Sequence, residues 1–492
     1  MTDPLAARLR DALTAADYTY DAVAELIGPT AQAALGRNET MPGLRATTGG
    51  SPLETLTRIW LLQATVPAAA AEAALPGLVD DLCAAGILER SFSEVAARID
   101  LRPYGTDGDK NGGNLWVASD LTPGLDGGPQ KVGPDHVLGI SPAATSLAEL
   151  TVRTPAGKAL DLGTGCGVQS LHLAEHVKHV VATDVNARAL WLTQLNADLN
   201  GVTLDIRNGS FFEPVAGETF DLIVTNPPFV ISPATGQRLV YRDSGIPGDR
   251  VVENIVRAIP DHLNPGGTGQ VLANWAIRKD QPWDERLAGW LTGTGCDAWV
   301  VQREVLDLPS YVELWLKDAG LHGAPEYATR YDTWLSWFEE LGIEAVGFGW
   351  FNLRSPLGST GGDVRLEEWR WEVEQPLGPE IDRHFARAAD LRDLTDDALL
   401  ASRPVLAADV VQETFGPAGA EDPSQIVLRR QTGMRRAVQV DTVTAALAGA
   451  ADGELSTGQL LAAIGELVGE VDVPERLEQV RSLVQDGYVT LL

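Results

Sequence analysis

The sequence predicts an α/β protein whose central part is a Rossmann-like, mostly parallel sheet, because short apolar runs alternate with helical patterns from about residue 137 to residue 354. A glycine-rich turn follows the first run, and an acidic residue closes the second. Both features are typical of the carboxyl edge of a parallel sheet, where open α/β folds bind ligands. Seven runs are predicted to be strands, at residues 158–162, 177–183, 204–207, 221–225, 269–275, 298–302 and 345–351.

Helical patterns and short strand pairs flank this central part on both sides. Strands are predicted at 87–89 and 95–101 near the N-terminus, and a hairpin joins 426–430 to 435–440 near the C-terminus. Both arrangements are typical of a winged-helix-like module. The sequence therefore divides into an N-terminal helical, winged-helix-like module, a connector rich in Gly and Pro, a central domain and a C-terminal winged-helix-like module, at residues 1–114, 115–143, 144–375 and 376–492.

The chain of 492 residues is strongly acidic, with 68 Asp and Glu against 38 Lys and Arg and a formal net charge of -30. A field of that sign repels phosphate backbones, so binding to nucleic acid is disfavoured, although a local basic patch still acts within about 10 Å. A signal-peptide pattern and an apolar run long enough for a membrane span are both absent, so a cytoplasmic location without a membrane partner is expected. The spacing of the three Cys and seven His residues predicts no metal site.

The turn after the first predicted strand has the pattern of a nucleotide-binding loop. Its glycines are spaced as GxGxG, whereas the dinucleotide-binding fingerprint is GxGxxG. Asp161, directly before the turn, would repel a pyrophosphate but suits a ligand that carries an ammonium and a sulfonium group and no phosphate. We therefore predict S-adenosyl-L-methionine as the cofactor, held by Asp161, Gly163, Thr164, Gly165 and Gly167.

A second cofactor contact is expected where the next strand ends. Asp184 closes that strand about 20 residues after the glycines, where a carboxylate accepts hydrogen bonds from both ribose hydroxyls. The alternative is that Asp184, or Asn186, only caps the helix that follows. With the glycine turn before it, Asp184 is predicted to bind the ribose, beside Val185.

Residues 144–354 resemble the class I S-adenosylmethionine-dependent methyltransferase superfamily. The 160–167 turn and Asp184 carry this resemblance. The resemblance implies a seven-stranded sheet and an adenine contact after the third strand, often from an Asp. The corresponding segment here is Asn208-Gly209-Ser210, in which Ser210 replaces the acid. The adenine contact then falls to Asn208 or to backbone groups of this segment.

Asn226-Pro227-Pro228-Phe229 follows the fourth predicted strand, so it also lies at the carboxyl edge. An amide or exocyclic amine nitrogen is planar and weakly nucleophilic. If the Asn226 side-chain oxygen and the Pro227 carbonyl each accept one N–H, the lone pair of that nitrogen points at the methyl carbon. The prolines fix the backbone, and Phe229 stacks on the flat group. All four residues are predicted to be catalytic, with Asn226 also beside the cofactor.

The motif is similar to that of the amino-methyltransferases, namely the release-factor glutamine, ribosomal-RNA guanine and DNA adenine methyltransferases. The following segment, with Tyr241 and Arg242, resembles the glutamine branch. That resemblance favours a protein glutamine amide as the substrate and implies Tyr241 and Arg242 as substrate contacts. An rRNA guanine or adenine amine and a small molecule with a planar nitrogen stay open as substrates. A non-catalytic binding or regulatory protein with a methyltransferase-like core also stays open.

An aromatic cluster and a basic cluster each have a structural interpretation beside a functional one. An aromatic helix is predicted to pack in the core rather than stack on bases, and it contains Tyr327, Tyr331, Trp334, Trp337 and Phe338. A basic cluster either grips RNA phosphates or an acidic protein, or protects a hairpin edge from strand pairing, and it contains Arg429, Arg430, Arg435 and Arg436.

Overall fold

The computed structural model divides the chain into two compact units. The first contains Met1–Ala148 and Pro155–Glu368, and the second contains Glu149–Thr154 and Trp369–Leu492. The finer division into four segments, and the winged-helix-like character of both ends, stay predictions. The residues that the structure describes are 4–105, 114–128, 132–233, 246–358, 361–419, 423–469 and 472–492.

The N-terminal part of the first unit combines helices with two small antiparallel sheets. Its helices are α1 (Pro4–Ala15), α2 (Tyr20–Leu35), α3 (Met41–Ala46), α4 (Pro52–Leu56), α5 (Ala68–Ala74) and α6 (Val79–Ala84). Its strands are β1 (Val66–Pro67), β2 (Leu88–Ser91), β3 (Glu94–Ala97), β4 (Asp100–Gly105) and β5 (Asn114–Ser119). One sheet has the order β1-β3-β2, and β4 pairs with β5 in a separate ribbon.

The single strand predicted over 95–101 is wrong, because the chain bends at residues 98–99 and continues as β4 in the other sheet. Val95, Ile99 and Leu101 are all buried on either side of this bend. An apolar pattern that runs through a bend in this way cannot be distinguished from one continuous strand.

An eight-stranded sheet forms the centre of the first unit and confirms the predicted α/β class. Its strands are β6 (Ala156–Leu162), β7 (Val177–Asp184), β8 (Asp205–Asn208), β9 (Phe220–Thr225), β10 (Leu263–Arg278), β11 (Asp297–Asp307), β12 (Ile343–Arg354) and β13 (Val364–Glu368). The strand order is β13-β11-β12-β10-β9-β6-β7-β8. β12 pairs antiparallel with both of its neighbours, and the remaining pairs are parallel. α7 (Pro142–Leu150) precedes β6, and the helices between the strands are α8 (Val168–Leu173), α9 (Ala187–Leu199), α10 (Arg250–Ala258), α11 (Trp283–Leu291), α12 (Leu308–Asp318) and α13 (Tyr327–Glu340).

The eighth strand, β13, corrects the predicted count of seven. It lies at the edge of the sheet, and none of its residues is fully buried. Its sequence, VRLEE, carries three charged side chains, so it lacks the apolar run by which the other strands are recognised.

The order of the strands places a crevice beside β6. The chain passes from β6 outward to β7 and β8, then returns to the other side of β6 to form β9 and β10. At such a reversal the two connecting loops diverge, and ligands bind outside the carboxyl ends of the adjacent strands. The loops after β6 and β9 therefore border the expected site.

One hydrophobic cluster joins the N-terminal part of the first unit to the helices on one face of the sheet. It contains Leu9 and Tyr18 near the N-terminus, Val117 of β5, Val168 of α8 and Leu192 of α9, each 5% exposed or less. Burial of large side chains on this scale contributes about 1.5–3 kcal/mol each relative to exposure. The N-terminal residues thus share their core with the helices that follow β6 and β7.

The second unit packs helices around two small sheets. Its helices are α14 (Gly378–Arg392), α15 (Asp396–Ala401), α16 (Thr442–Gly449), α17 (Thr457–Val468) and α18 (Val473–Gln485). Its strands are β14 (Pro404–Leu406), β15 (Val410–Phe415), β16 (Gln425–Arg430), β17 (Ala437–Val440) and β18 (Val489–Leu491). The antiparallel pairing of β16 with β17 confirms the predicted hairpin. Within the described ranges of both units, no helix is long and apolar enough to cross a membrane.

The arginine cluster of this hairpin is paired with acids from distant parts of the sequence. Each arginine has a carboxylate oxygen within 3.6 Å. The pairs are Arg429–Glu413, Arg430–Asp409, Arg435–Glu372 and Arg436–Asp486. Because each positive charge has a negative partner beside it, the cluster does not present the net basic surface that gripping RNA phosphates requires.

Candidate active site

The register of the sheet brings four predicted site segments to one edge. Leu162, the last residue of β6, lies opposite Thr183 in β7 and Thr225 in β9. Asp184, the last residue of β7, lies opposite Asn208 at the end of β8. The glycine turn, Asp184, Asn208 and Asn226 therefore leave adjacent strands at the same level.

The glycine turn leaves open space above its backbone. Gly163 and Gly165 have φ of 75° and 58°, and among the residues that the structure describes, none apart from the adjoining residues has an atom within 4 Å of a Cβ built on either glycine. The N–H groups of Gly163 and Thr164 both donate to the Thr183 carbonyl at 2.9 Å, which fixes the turn to β7. Gly167 also has a positive φ, of 83°, but a Cβ there lies 2.9 Å from Thr193 Cγ2. The first two glycines thus border a space for a ligand, and the third lets the turn pack on α9.

Substituting these glycines by alanine is expected to separate the two roles. Gly163→Ala should keep the fold apart from about 1–2 kcal/mol of left-handed backbone strain, while its methyl group enters the ligand space and weakens cofactor binding. Gly167→Ala should carry the same strain and also a clash with Thr193, so it should lower the melting temperature more. Thermal unfolding together with calorimetric titration of S-adenosylhomocysteine measures both effects. Equal losses of stability and affinity in the two variants would contradict this assignment.

Asp161 is a buried carboxyl at the start of this turn. Its Oδ2 accepts hydrogen bonds from Thr164 Oγ1 and Ser170 Oγ, both at 2.7 Å. Burial raises the pKa of Asp161 to about 6, although both hydroxyl groups favour the charged form, and the negative charge of Asp184 raises this pKa further. At neutral pH Asp161 is therefore mostly ionised and able to attract a cationic group.

The pKa of about 6 predicts opposite pH dependences for ligand affinity and for stability. The affinity for S-adenosylhomocysteine should rise with pH up to about 6, by about tenfold per unit in the lower part of this range, because the ionised carboxylate attracts the ligand's ammonium group. The contribution of Asp161 to the stability of the free protein has the opposite sign. Since its folded pKa is raised, this contribution is complete below the unfolded pKa and is lost as pH rises through about 6.

The isosteric variant Asp161→Asn serves as the control for both dependences. Calorimetric titrations and urea unfolding between pH 5 and 8 should show that the variant lacks the slopes that Asp161 contributes to the wild-type protein. If wild type and variant have the same pH profile of affinity, Asp161 does not contact the cationic group.

Asp184 links the glycine turn to the loop after β7. Its Oδ2 accepts the Gly165 N–H at 3.0 Å, and its Oδ1 accepts the Asn186 N–H at 2.9 Å. Burial raises the pKa of Asp184, while these backbone donors oppose that effect. Asn186, in turn, caps α9 through its side chain. The cap is therefore supplied by Asn186, and each Asp184 oxygen retains a lone pair for a further hydrogen bond.

The segment after β8 forms the neighbouring wall. Asn208 Nδ2 donates to the carbonyls of Asp184 and Val185, both at 3.2 Å, and so fixes its amide beside Val185. Val185, directly after β7, is 63% exposed. A Cβ on Gly209 would clash with the Pro214 ring, so a larger residue cannot bring the chain this close to Pro214. Ser210 begins the following turn, where its carbonyl accepts the Glu213 N–H.

Asn226 and the prolines leave β9 directly beside the glycine turn. The hydroxyl of Thr225 donates to the Leu162 carbonyl at 2.7 Å, which fixes the two strand ends together. Asn226 and Pro228 are half-buried, and Pro227 is buried. Within the described part of the chain, no hydrogen bond occupies the Asn226 amide. Its oxygen is therefore available to accept an N–H from a substrate.

A buried tyrosine that the sequence analysis missed supports the chain after Phe229. The hydroxyl of Tyr311, in α12, accepts the Ile231 N–H at 2.8 Å, and the Phe229 ring packs edge-on against Trp315. Burial raises the pKa of the Tyr311 hydroxyl, so it stays neutral. Trp334 and Phe338 of α13 are buried in the same cluster, which confirms the predicted packing role of the aromatic helix. Tyr241 and Arg242, the predicted substrate contacts, lie outside the described residues.

Comparison with known families and proteins agrees with this arrangement. Residues 15–98 match a domain of unknown function, DUF7059, and residues 140–288 match the methyltransferase small domain. The release factor glutamine methyltransferase of Geobacter sulfurreducens is 35% identical over 32% of this chain and 57% of that protein. A putative protein N5-glutamine methyltransferase of Methanocaldococcus jannaschii is 31% identical over 23% of this chain and 59% of that protein. The ribosomal RNA small subunit methyltransferase C of Alcanivorax borkumensis is 32% identical over 24% of this chain and 32% of that protein.

Among solved structures, a methyltransferase from Pyrococcus furiosus is 21% identical, with a TM-score of 0.24, over 33% of this chain and 76% of that one. The chain spans between a third and three fifths of the curated relatives named above. The resemblance stated from the glycine turn and the NPPF motif is confirmed by the matching family model and by the names of these relatives. Residues 140–288, which match the methyltransferase small domain, contain the glycine turn, Asp184 and Asn226.

Proposed function

We propose that this protein is an S-adenosylmethionine-dependent methyltransferase that methylates a planar nitrogen. The observation that carries the proposal is the position of Asn226, which follows β9 in register with the glycine turn and Asp184 and whose amide has no hydrogen-bond partner among the described residues. A hydrogen-bond acceptor for the substrate and a space for the cofactor thus adjoin at one edge of the sheet.

The residues around the turn fit S-adenosylmethionine. The space above Gly163 and Gly165, which a Cβ would enter, admits a ligand against bare backbone. The buried carboxyl of Asp161 suits an ammonium group, and Asp184 has acceptors for two ribose hydroxyls. Exposed Val185 offers an apolar surface to an adenine ring, and Asn208 lies next to it. Thr164 acts indirectly, since its hydroxyl orients Asp161.

The role of the protein in this reaction is to orient the substrate nitrogen toward the methyl group. S-adenosylmethionine supplies an electrophilic methyl group on sulfur, so no strong base is needed. Asn226 Oδ1 and the Pro227 carbonyl accept the two N–H groups of the substrate and direct the nitrogen lone pair into the cofactor space. Phe229, held by Trp315, packs on the flat substrate group. The transfer would form the nitrogen–carbon bond, break the carbon–sulfur bond and leave S-adenosylhomocysteine, and the nitrogen would then lose one proton to solvent.

A protein glutamine amide is the substrate that we favour. Two of the relatives described above are named as glutamine methyltransferases. The net charge of -30 and the acid-paired arginines of the hairpin disfavour a phosphate-rich partner. The second candidate is an exocyclic amine of ribosomal RNA, which the likeness to the ribosomal RNA small subunit methyltransferase C favours.

Labelling separates these substrates. The purified full chain is incubated with methyl-labelled S-adenosylmethionine and cell extract, and the products are treated with protease or with RNase. Label that protease releases, recovered as N5-methylglutamine after digestion, supports the glutamine proposal. Label that RNase releases supports the alternative. Absence of label from every macromolecule and small-molecule fraction, together with calorimetry showing no cofactor binding, would contradict the enzyme itself and leave a non-catalytic binding role.

A further inference from the structure

Two buried asparagines, Asn196 in α9 and Asn200 directly after that helix, act as hydrogen-bonding partners for β5. The Asn200 amide accepts the Trp116 N–H at 2.9 Å and donates to the Trp116 carbonyl at 2.8 Å. One helical turn earlier, the Asn196 amide accepts the Ala118 N–H at 2.7 Å and donates to the Ala118 carbonyl at 2.8 Å. Both side chains are therefore matched to the peptide groups of one edge of β5, as a neighbouring strand would be.

The two asparagines differ in their third hydrogen bond. Asn196 Nδ2 also donates, at 2.7 Å, to the carbonyl of Cys166, which lies in the glycine turn between Gly165 and Gly167. Asn200 Nδ2 instead donates to a carbonyl of α9, that of Asn196. Of this pair, Asn196 is thus the side chain that joins β5 to the turn.

β5 is in turn bound to Tyr18, which lies nearer the N-terminus in the loop between α1 and α2. The indole N–H of Trp116 donates to the Tyr18 carbonyl at 2.7 Å, and the Tyr18 hydroxyl donates to the Leu101 carbonyl of β4 at 2.8 Å. Tyr18 is fully buried and lies within the region that matches the domain of unknown function. A continuous series of hydrogen bonds therefore runs from that region through β5 and Asn196 to the glycine turn.

We propose that Asn196 is a positioning residue through which the N-terminal region sets the cofactor affinity of the glycine turn. The inference rests on the cofactor binding in the proposed function. Glycines at positive φ have many alternative conformations, so a turn that contains three of them loses much freedom when a ligand fixes it. Holding the Cys166 carbonyl in place before the ligand arrives removes part of that loss. By thermodynamic linkage, cofactor binding stabilises the attachment of β5 by the same free energy by which that attachment strengthens cofactor binding.

Asn196→Ala and Asn200→Ala form a matched pair of variants of the full chain. Each loses the two hydrogen bonds to β5 and one further carbonyl contact, and each should lower the melting temperature by a similar amount. The expected difference is in the affinity for S-adenosylhomocysteine, measured by calorimetry. Asn196→Ala should raise Kd by about tenfold, whereas Asn200→Ala should change it by less than about twofold. Equal changes in Kd for the two variants would show a purely structural role and overturn the inference.

Hydrogen exchange of the wild-type protein tests the inference even if a variant fails to fold. Saturation with S-adenosylhomocysteine should slow exchange of the Trp116 and Ala118 amides, with no change in the distant β2 strand as the internal control. Unchanged exchange in β5 on ligand binding would overturn the inference while leaving the proposed function intact. Failure of the wild-type protein to bind the ligand at all would overturn the proposed function and this inference with it.

Discussion

Asn226→Ala is expected to lower kcat by about 10²–10³-fold, which corresponds to about 3–4 kcal/mol of transition-state stabilisation. The variant removes the acceptor that orients the planar nitrogen, so the lone pair is no longer directed at the methyl carbon. Because the proposed cofactor contacts are mainly with the glycine turn and Asp184, the Kd for S-adenosylhomocysteine should stay within about threefold of wild type. Single-turnover methyl transfer from labelled cofactor to the identified substrate, together with calorimetry, measures the two effects separately.

Asn208→Ala provides a matched control for this prediction, because Asn208 is also an asparagine at a strand end of the same edge. Its amide fixes the loop beside Val185, so its loss should weaken cofactor binding and leave kcat at saturating cofactor nearly unchanged. Unimpaired methyl transfer by the Asn226 variant would rule out the role assigned to that side chain. Equal kcat losses in both variants would show that the edge of the sheet has been disturbed as a whole.

Asp184→Ala is expected to weaken cofactor binding by at least about 100-fold, because two hydrogen bonds from ribose hydroxyls to a charged acceptor each contribute about 1.5–3 kcal/mol. The variant also releases the N–H groups of Gly165 and Asn186, so the glycine turn loses its connection to the loop after β7. Titration of S-adenosylhomocysteine into the purified variant measures the change in Kd.

Asp221 supplies the control, because it makes comparable hydrogen bonds at the opposite edge of the sheet. Its Oδ2 accepts the N–H groups of Gly157 and Lys158 at 2.8 and 2.9 Å. Asp221→Ala should therefore lower stability about as much as Asp184→Ala does, without a comparable change in Kd. A variant at Asp184 that binds the ligand as tightly as wild type would refute the ribose contact.

The sequence was sufficient to predict the sheet and the edge where the site residues meet. Glycine spacing and the acid at each strand end are local signals, and parallel strands bring their carboxyl ends together whatever the intervening sequence is. Asp161, Asp184 and Asn226 could be found in this way, because each lies within one residue of the end of an apolar run.

The contacts that hold the site segments in place could not be predicted from the sequence. Tyr311 binds a backbone N–H 80 residues away, and Asn196 binds carbonyls 78 and 30 residues away. The sequence around a tyrosine or an asparagine in an amphipathic helix does not indicate that its side chain binds a backbone group far away in the chain. The acid partners of the hairpin arginines were hidden for the same reason, so a cluster that is basic in sequence is neutralised in the structure.

The pairing of β10 determines where this chain can be divided. Residues 268–278 of β10 pair along their whole length with β12, and the family-matched segment 140–288 ends before β12 begins. A fragment with those ends would carry a long apolar strand with an unpaired edge, and α8 and α9 would lose their apolar cover from the N-terminal residues. Such an edge is a template for intermolecular strand pairing. The segment that matches the methyltransferase small domain is therefore expected to aggregate when expressed alone, and biochemical work requires at least the whole first unit.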